Sequence, residues 1–318
     1  MARIFGSSDV VPPERSNWTV NLEKTKSTGN DGKWGVDVGS GPRSLKVTCL
    51  SDTHGHYRGM EDIIAGSDLL LLAGDMLDHT QKDAASLADL NDWIAHLGLK
   101  KSQIVYVAGN HDKALCHAGS TFAKRVDALP HVTYLEGGMT TVADGAVSVA
   151  GGPWVLGRPF YFQAQTFAVS GSSLVDKWSE LAGLVLSMNP KTSVVPAGDP
   201  AATTTTTESA AASDPADASY LDILVTHGPP EGVFDIDYKR RRTGTVALRD
   251  CLVARARPLV HVFGHNHDKN GVVWGTLHYK GTERDSDDKD ADHSDHRMLF
   301  VGAAATFTHK CQYFTLHY

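Results

Sequence analysis

The apolar positions of this chain come in short, nearly continuous runs that stop abruptly at polar residues beside glycine. Leu45–Leu50 runs into Ser51-Asp52-Thr53-His54, and Asp68–Ala73 runs into Gly74-Asp75. Ile104–Ala108 ends at Gly109-Asn110-His111-Asp112, and Leu221–Val225 ends at Thr226-His227-Gly228. Leu259–Phe263 ends at Gly264-His265-Asn266-His267. Short apolar runs rich in β-branched residues and bounded by glycine predict strands covered on both faces. Further strands are expected at 132–135 and 147–150.

Between these runs the period becomes helical. Leu87, Leu90, Ile94 and Leu97, spaced by three and four, predict a helix over 84–98. A second is expected over roughly 118–128 and a fourth over about 245–256. A third spans 174–187, with Leu174, Trp178, Leu181 and Leu184 on one face. Strands alternating with helices argue an α/β layered domain.

Three stretches break the pattern. Residues 1–44 are polar, with Pro12-Pro13 and Gly41-Pro42 as breakers, and are expected to form a loosely held arm. Residues 188–219 lose periodicity and contain the threonine run Thr203–Thr207, so they read as a disordered insertion. The strand-and-island series resumes directly after it, so 45–318 is expected to be one domain. The tract 281–297, between Val272-Val273-Trp274 and Met298–Val301, reads as a long exposed hairpin loop.

Composition narrows the setting. The 318 residues are 41% hydrophobic and 21% charged, ordinary values for a globular protein. A net charge of −7 argues against extended binding to a nucleic-acid backbone. Cys49, Cys116, Cys251 and Cys311 are widely spaced and form no CxxC pair, so reduced thiols are expected. No apolar stretch has signal-peptide or membrane-spanning length, so the expectation is a soluble, cytoplasmic protein with no membrane partner.

The five polar islands carry the chemistry. Their donors are imidazole, carboxylate and one amide, without cysteine, which suits a pair of hard-to-borderline divalent metals better than a structural zinc. A phosphate ester repels an attacking hydroxide. Two adjacent cations neutralise the phosphoryl oxygens, lower the pKa of a shared water and hold it in line. Such a pair needs one bridging carboxylate, several neutral imidazoles, and a proton donor outside the metal shell. Asp75 is the best bridging candidate, since it follows the most apolar strand and a glycine. Asp52 and His54, two apart on an extended segment, point to one side and can share a metal. His265 and His267 have the same spacing, and each could reach a metal. Asn110 and His227 could complete the second site, leaving His111 as the proton donor.

These words, in this order, resemble the calcineurin-like metallophosphoesterases, whose pattern is DxH, GDxxD, GNHD or GNHE, a lone His, and GHxH. Here it reads Asp52-Thr53-His54, Gly74-Asp75-Met76-Leu77-Asp78, Gly109-Asn110-His111-Asp112, His227 and Gly264-His265-Asn266-His267. The resemblance implies a two-layered mixed β-sandwich flanked by helices. It also implies one metal on Asp52, His54, Asp75 and His267, a second on Asp75, Asn110, His227 and His265, and His111 as the catalytic imidazole. Thr226–Gly232, Arg242-Thr243-Gly244, Arg257-Pro258, His261–Gly264, Gly152-Pro153-Trp154 and Leu174–Trp178 look like the metallophosphoesterase-domain-containing subfamily. That subfamily is known for cyclic-nucleotide phosphodiesterase activity. Some of its animal members carry Gly in place of the first His of GHxH, weakening the second metal site. This chain keeps His265, so full two-metal activity is expected.

The implied reaction is hydrolysis of small phosphodiesters, including 2′,3′- or 3′,5′-cyclic nucleotides. A metal-bridging hydroxide attacks phosphorus, and His111 serves as general acid. Mn²⁺ is the favoured metal, with Fe, Zn, Co or Mg as alternatives. The rival readings are a phosphomonoesterase or protein phosphatase on the same dimetal core, and a non-catalytic scaffold. Retention of His111 and every ligand argues against the scaffold. The expected partner is a small phosphodiester or nucleotide, and no oligomeric state is implied.

Other polar residues have plainer readings. His96, His117, His131, His278 and His261 are expected to be structural, and Asp78 and Asp112 to support neighbouring ligands. His56 could contact substrate or cap a turn. The run Lys239–Arg242 is a solvated face, a localisation signal, or, through Arg242, a substrate-phosphate contact. Trp154 and Phe160 could stack on a nucleobase or pack internally.

Overall fold

The computed structural model describes residues 18–22, 36–119, 121–157, 166–188, 220–279, 295–306 and 310–318. Two large sheets face each other. The first is built around parallel strands β3 (Ser44–Leu50), β4 (Leu69–Leu72), β5 (Ile104–Val107) and β6 (Thr133–Leu135). On its other side β15 (Gln312–His317) pairs antiparallel with β3, and β2 (Asp37–Gly39) pairs with β15.

The second sheet has the order β1 (Trp18–Leu22), β13 (Asn270–Tyr279), β14 (His296–Ala303), β12 (Pro258–Phe263), β11 (Leu221–Thr226), β8 (Val147–Gly152), β7 (Gly138–Val142). Its centre, β8-β11-β12-β14, is parallel. A small parallel ribbon joins β9 (Val155–Leu156) to β10 (Ala168–Val169).

The central core lies between the sheets. Val47, Leu71 and Val107 from one inner face meet Val149, Val225, Val262 and Val301 from the other, all fully buried. The alternate residues of the same strands point outward into helices. Leu50, Leu70, Leu72 and Tyr106 pack on Leu90, Trp93 and Ile94 of α2 (Ala84–His96). Ala150, Leu224, Phe263 and Phe300 pack on Leu174, Trp178, Leu181 and Val185 of α5 (Gly171–Met188). Continuous apolar runs are therefore required, because each strand buries both faces. The fold is a two-layered mixed β-sandwich flanked by helices, an α/β architecture. Among the described residues no helix is long and apolar enough to cross a membrane.

Most expected elements appear, with local differences. Helix α2 starts at the side-chain cap of Asp83, which accepts from Ser86 N at 2.9 Å. The expected 118–128 helix is the shorter α4 (Phe122–Asp127), preceded by an unforeseen α3 (Lys113–Ala118) and, before α2, a one-turn α1 (Glu61–Ile64). The 245–256 helix contains a wide π segment, Leu248–Val253, continuing into α6 (Ala254–Ala256). Strand β7 was hidden by its polar Gly-Met-Thr-Thr sequence.

The N-terminal arm is less loose than expected where it is described. Residues 18–22 pair with β13 and residues 37–39 with β15, adding outer strands to both sheets. An unpaired edge leaves a row of backbone donors and acceptors that an added strand satisfies. The hairpin expected around 281–297 is formed by β13 and β14, which extend into it. His296 pairs with Leu277 and Arg297 with Thr276. Residues 280–294 of that tract, and 189–219 of the insertion, lie outside the described residues.

Candidate metal centre

All five islands follow strands at the same end of the sandwich. Asp52 and His54 follow β3, Asp75 follows β4, and Asn110 and His111 follow β5. From the opposite sheet, His227 follows β11, and His265 and His267 follow β12. Backbone bonds knit neighbouring islands: Asp52 N donates to Gly74 O at 2.9 Å, His54 N to Asp75 O at 3.0 Å, and Gly264 N to His227 O at 2.9 Å. His265 N donates to Asp52 Oδ2 at 2.8 Å, joining the two sheets.

This convergence requires unusual backbone. Asp52, His54, Asp75 and His265 have φ of +54°, +48°, +52° and +67°, in the left-handed region that side chains other than glycine avoid. Each such residue costs on the order of 1 kcal/mol or more, a pattern common at functional sites. Glycine is needed where the islands touch. At Gly74, φ is +93° and a Cβ would lie 2.5 Å from His227 Nδ1. A Cβ on Gly264 would collide with Ser51 Oγ and Asp52 Oδ2.

The side chains form two adjoining groups around Asp75. One ligand atom from each of Asp52, His54, Asp75 and His267 lies within 4.8 Å of the others. In the second group, His227 Nε2 is 3.0 Å and His265 Nδ1 2.9 Å from Asn110 Oδ1. His227 Nε2 is also 3.3 Å from Asp75 Oδ2.

Several features fit divalent cations. His54 Nε2 faces His267 Nε2 at 2.9 Å, two ring nitrogens directed at one point. Asp52 Oδ1 is buried and receives no hydrogen bond among the described residues, with His267 Nε2 its neighbour at 3.4 Å. Buried carboxylates with imidazole and one amide, without thiolate, suit octahedral-leaning metals such as Mn²⁺, Fe²⁺ or Mg²⁺ and also Zn²⁺. The structure brings together the residues that the sequence reading assigned to the two groups.

The electrostatics agree. Burial pulls His265 down to about 3, with the nearby His227 charge adding to the effect. Burial likewise lowers His54 and His111. His265 and His54 are therefore favoured in the neutral form that ligates metal. Burial opposes the charge on His227 too, but the Asp75 carboxylate beside it wins and lifts it to about 9. Asp75 is correspondingly held well below the usual carboxylate range: burial would raise it, but His227 outweighs burial.

Asp112 braces the bridging residue. Its carboxylate accepts from the backbone N–H of Asp75 and Leu77, each at 2.9 Å, and of Gly109 at 2.7 Å. Burial and the charge of Asp75 push its carboxyl up to about 7, against the pull of those N–H groups. In Asp112→Asn an amide NH₂ must face a backbone N–H, so at least one buried N–H loses its acceptor. Expected is a loss of about 2 kcal/mol of stability, read from the denaturant midpoint, with weaker metal binding. Unchanged stability and metal affinity would show that this brace is unimportant.

His111 sits beside the cluster rather than in it. Its backbone N–H donates to Asp75 Oδ1 at 2.7 Å, while its Nε2 is 4.0 Å from Asp75 Oδ2. A cavity of about 650 Å³ opens here, and its lining includes His54, His111 and His267. Gly55, His56, Asp78, His79, Thr80, Gln81 and Thr306 also line it. His56 is thus at the cavity. Arg242 is not among its lining residues, and its guanidinium is tied to Asp235 at 2.9 Å. The plainer readings fare as follows. His261 is buried and bonded to Thr226 Oγ1 at 2.8 Å, and Trp154 packs against Trp178 with ring centroids 5.0 Å apart. Phe160 lies outside the described residues. His79 was not anticipated at all; the one signal was its place one residue after the GDxxD word.

The calcineurin-like phosphoesterase family model matches residues 45–269. Human metallophosphoesterase domain-containing protein 1 is 23% identical over 258 residues, covering 74% of this chain and 65% of that protein. A UPF0046 protein of Caenorhabditis elegans is 24% identical over 252 residues, covering 75% of this chain and 55% of its own. This chain therefore spans less than two thirds of these relatives. The crystal structure of TT1561 of Thermus thermophilus aligns with a TM-score of 0.46 at 14% identity, covering 75% of this chain and 95% of that one. With the family model spanning every ligand island, the chain belongs to the calcineurin-like phosphoesterases.

Proposed function

We propose that the protein is a two-metal phosphodiesterase acting on small phosphodiesters, cyclic nucleotides among them. The observation that carries this reading is the arrangement around Asp75: two donor groups share one carboxylate, and His111 stands beside them without joining either. Asp52, His54, Asp75 and His267 would hold one ion, and Asp75, Asn110, His227 and His265 the other. Bound there, divalent ions, Mn²⁺ favoured, would neutralise the phosphoryl oxygens and lower the pKa of a water. The protein's own part is to fix the donors on rigid strand ends, to seat the ester in the cavity, and to hold a proton at His111 for the leaving oxygen. An anionic ester beside His111 raises its pKa against the effect of burial.

The test is turnover of bis(p-nitrophenyl) phosphate, p-nitrophenyl phosphate and 2′,3′- and 3′,5′-cyclic nucleotides with Mn²⁺. Diesters should be hydrolysed faster than the monoester. Hydrolysis of the monoester alone would make the protein a phosphomonoesterase. Turnover of nothing would leave a scaffold.

Metal binding should also depend on pH through His227. Its folded value, about 9, lies above the unfolded value of about 6.5. The metal-free protein therefore carries this stabilisation in full below about 6.5 and loses it as pH rises through about 9. An ion must displace the same proton, so affinity rises over that window. The Mn²⁺-induced increase in Tm should be larger at pH 8.5 than at pH 6.5. An increase that shrinks with pH would contradict the pairing of His227 with Asp75.

A further inference from the structure

Part of the cavity wall is a small, tightly built turn. Asp78 Oδ1 accepts from Thr80 N at 2.9 Å and Thr80 Oγ1 at 2.8 Å. Asp78 N donates to Gln81 Oε1 at 2.8 Å, and Gln81 N donates back to Asp78 O at 2.9 Å. The turn also packs against the first ligand island, since a Cβ on Gly55 would lie 2.5 Å from Gln81 Oε1.

His79 projects from this turn into the cavity. The side chain is 59% exposed, yet its Nδ1 lies 3.1 Å from Asp78 Oδ2. Its ring meets that of His111 edge-on, with centroids 5.8 Å apart and planes at 72°. An ionised carboxylate can only accept, so the tautomer that satisfies Asp78 has its proton on Nδ1 and its lone pair on Nε2. Nε2 is thus an acceptor, placed next to the residue that serves the leaving oxygen.

The lining tells what such an acceptor meets. Among the described residues that form the cavity there is no Lys or Arg. Away from the metals, the wall offers imidazole, hydroxyl and amide groups and the Asp78 carboxylate, which suit an uncharged polar alcohol rather than a second phosphate. If His111 hands a proton to the leaving oxygen, the rest of that alcohol lies against the neighbouring wall.

We propose that His79, oriented by Asp78, is a specificity-determining residue that accepts a hydrogen bond from a hydroxyl on the leaving alcohol. The substrates it favours are phosphodiesters whose leaving alcohol carries a neighbouring hydroxyl, as a ribose does. This rests on the diesterase reading and adds a preference within it.

The experiment compares 3′,5′-cyclic AMP with its 2′-deoxy counterpart, on the Mn²⁺-loaded wild-type protein and on His79→Ala. One lost hydrogen bond corresponds to about tenfold, so the wild-type ribo-to-deoxy ratio of kcat/KM should be about ten and fall to about one in the variant. A merely structural role lowers both substrates together and leaves the ratio unchanged. Calorimetric binding of adenosine 5′-monophosphate and its 2′-deoxy form gives the same ratio without turnover. It therefore tests His79 even if neither cyclic nucleotide is hydrolysed, the outcome that would count against the diesterase reading. A wild-type ratio of one, or a ratio that survives the substitution in both measurements, overturns the proposal.

Discussion

Asp75→Asn is expected to lower phosphoester hydrolysis by about a thousandfold or more and to reduce bound metal from two ions to at most one. The substitution hardly changes shape, and the amide oxygen can still accept from His111 N, which now bonds Asp75 Oδ1 at 2.7 Å. What disappears is the charge common to both donor groups. A dimetal site supplies several kcal/mol of transition-state stabilisation, and about 4 kcal/mol corresponds to three decades of rate. His227 also loses the carboxylate that holds its proton, so the variant should lack the pH-dependent metal response described above. Elemental analysis after gel filtration, together with steady-state rates, checks both halves. A variant that keeps two ions and near-normal kcat would remove Asp75 from the bridging position.

His111→Gln should separate chemistry from metal binding. The ring lies outside both donor groups, so two ions should remain while kcat for an alkyl leaving group falls by about 10²–10⁴-fold, the range for loss of a general acid. With p-nitrophenolate as leaving group, which departs without a proton, the loss should be much smaller. This difference between leaving groups is the decisive readout, because displaced metals would depress both substrates alike. The buried Nδ1 of His111 has no hydrogen-bond partner among the described residues, and Gln leaves that position without a ring nitrogen. Equal losses on both substrates would assign His111 a role other than proton transfer.

The parts of the fold that were legible in the sequence are those where one physical requirement dominates. Leu69–Leu72 must be covered on both faces, and its run of leucines admits no other reading. The islands were legible because ligand chemistry tolerates few residue types and close packing demands glycine beside them. The short elements were not. Strand β7 is held by its pairing with β8 rather than by its own alternation, and α3 is a six-residue helix with too few turns to show a period. The two pieces of the N-terminal arm depend on sheet edges supplied by residues more than 200 positions away, which no local pattern records. For Arg242 the sequence left a solvated face, a localisation signal and a phosphate contact open; its guanidinium pairs with Asp235, a partner seven residues away that the sequence did not single out. His79 went unnoticed because its significance comes from the turn behind it and the ring beside it, and neither is visible in a single residue.

The left-handed ligands and shared carboxylate belong to a larger arrangement. Asp52, Asp75 and Asn110 come from one sheet, and His227, His265 and His267 from the other. The sheets are not separate halves of the chain. Strands β7 and β8 lie between two stretches that build the first sheet, and β15 returns to that sheet after β14 has completed the second. The molecule is thus threaded shut, and ions held by these donors would act as a rivet through both plates at one end. Ions bound there would stabilise the folded state that holds both sheets together, so metal removal should lower the Tm of the whole domain and not merely empty the pocket.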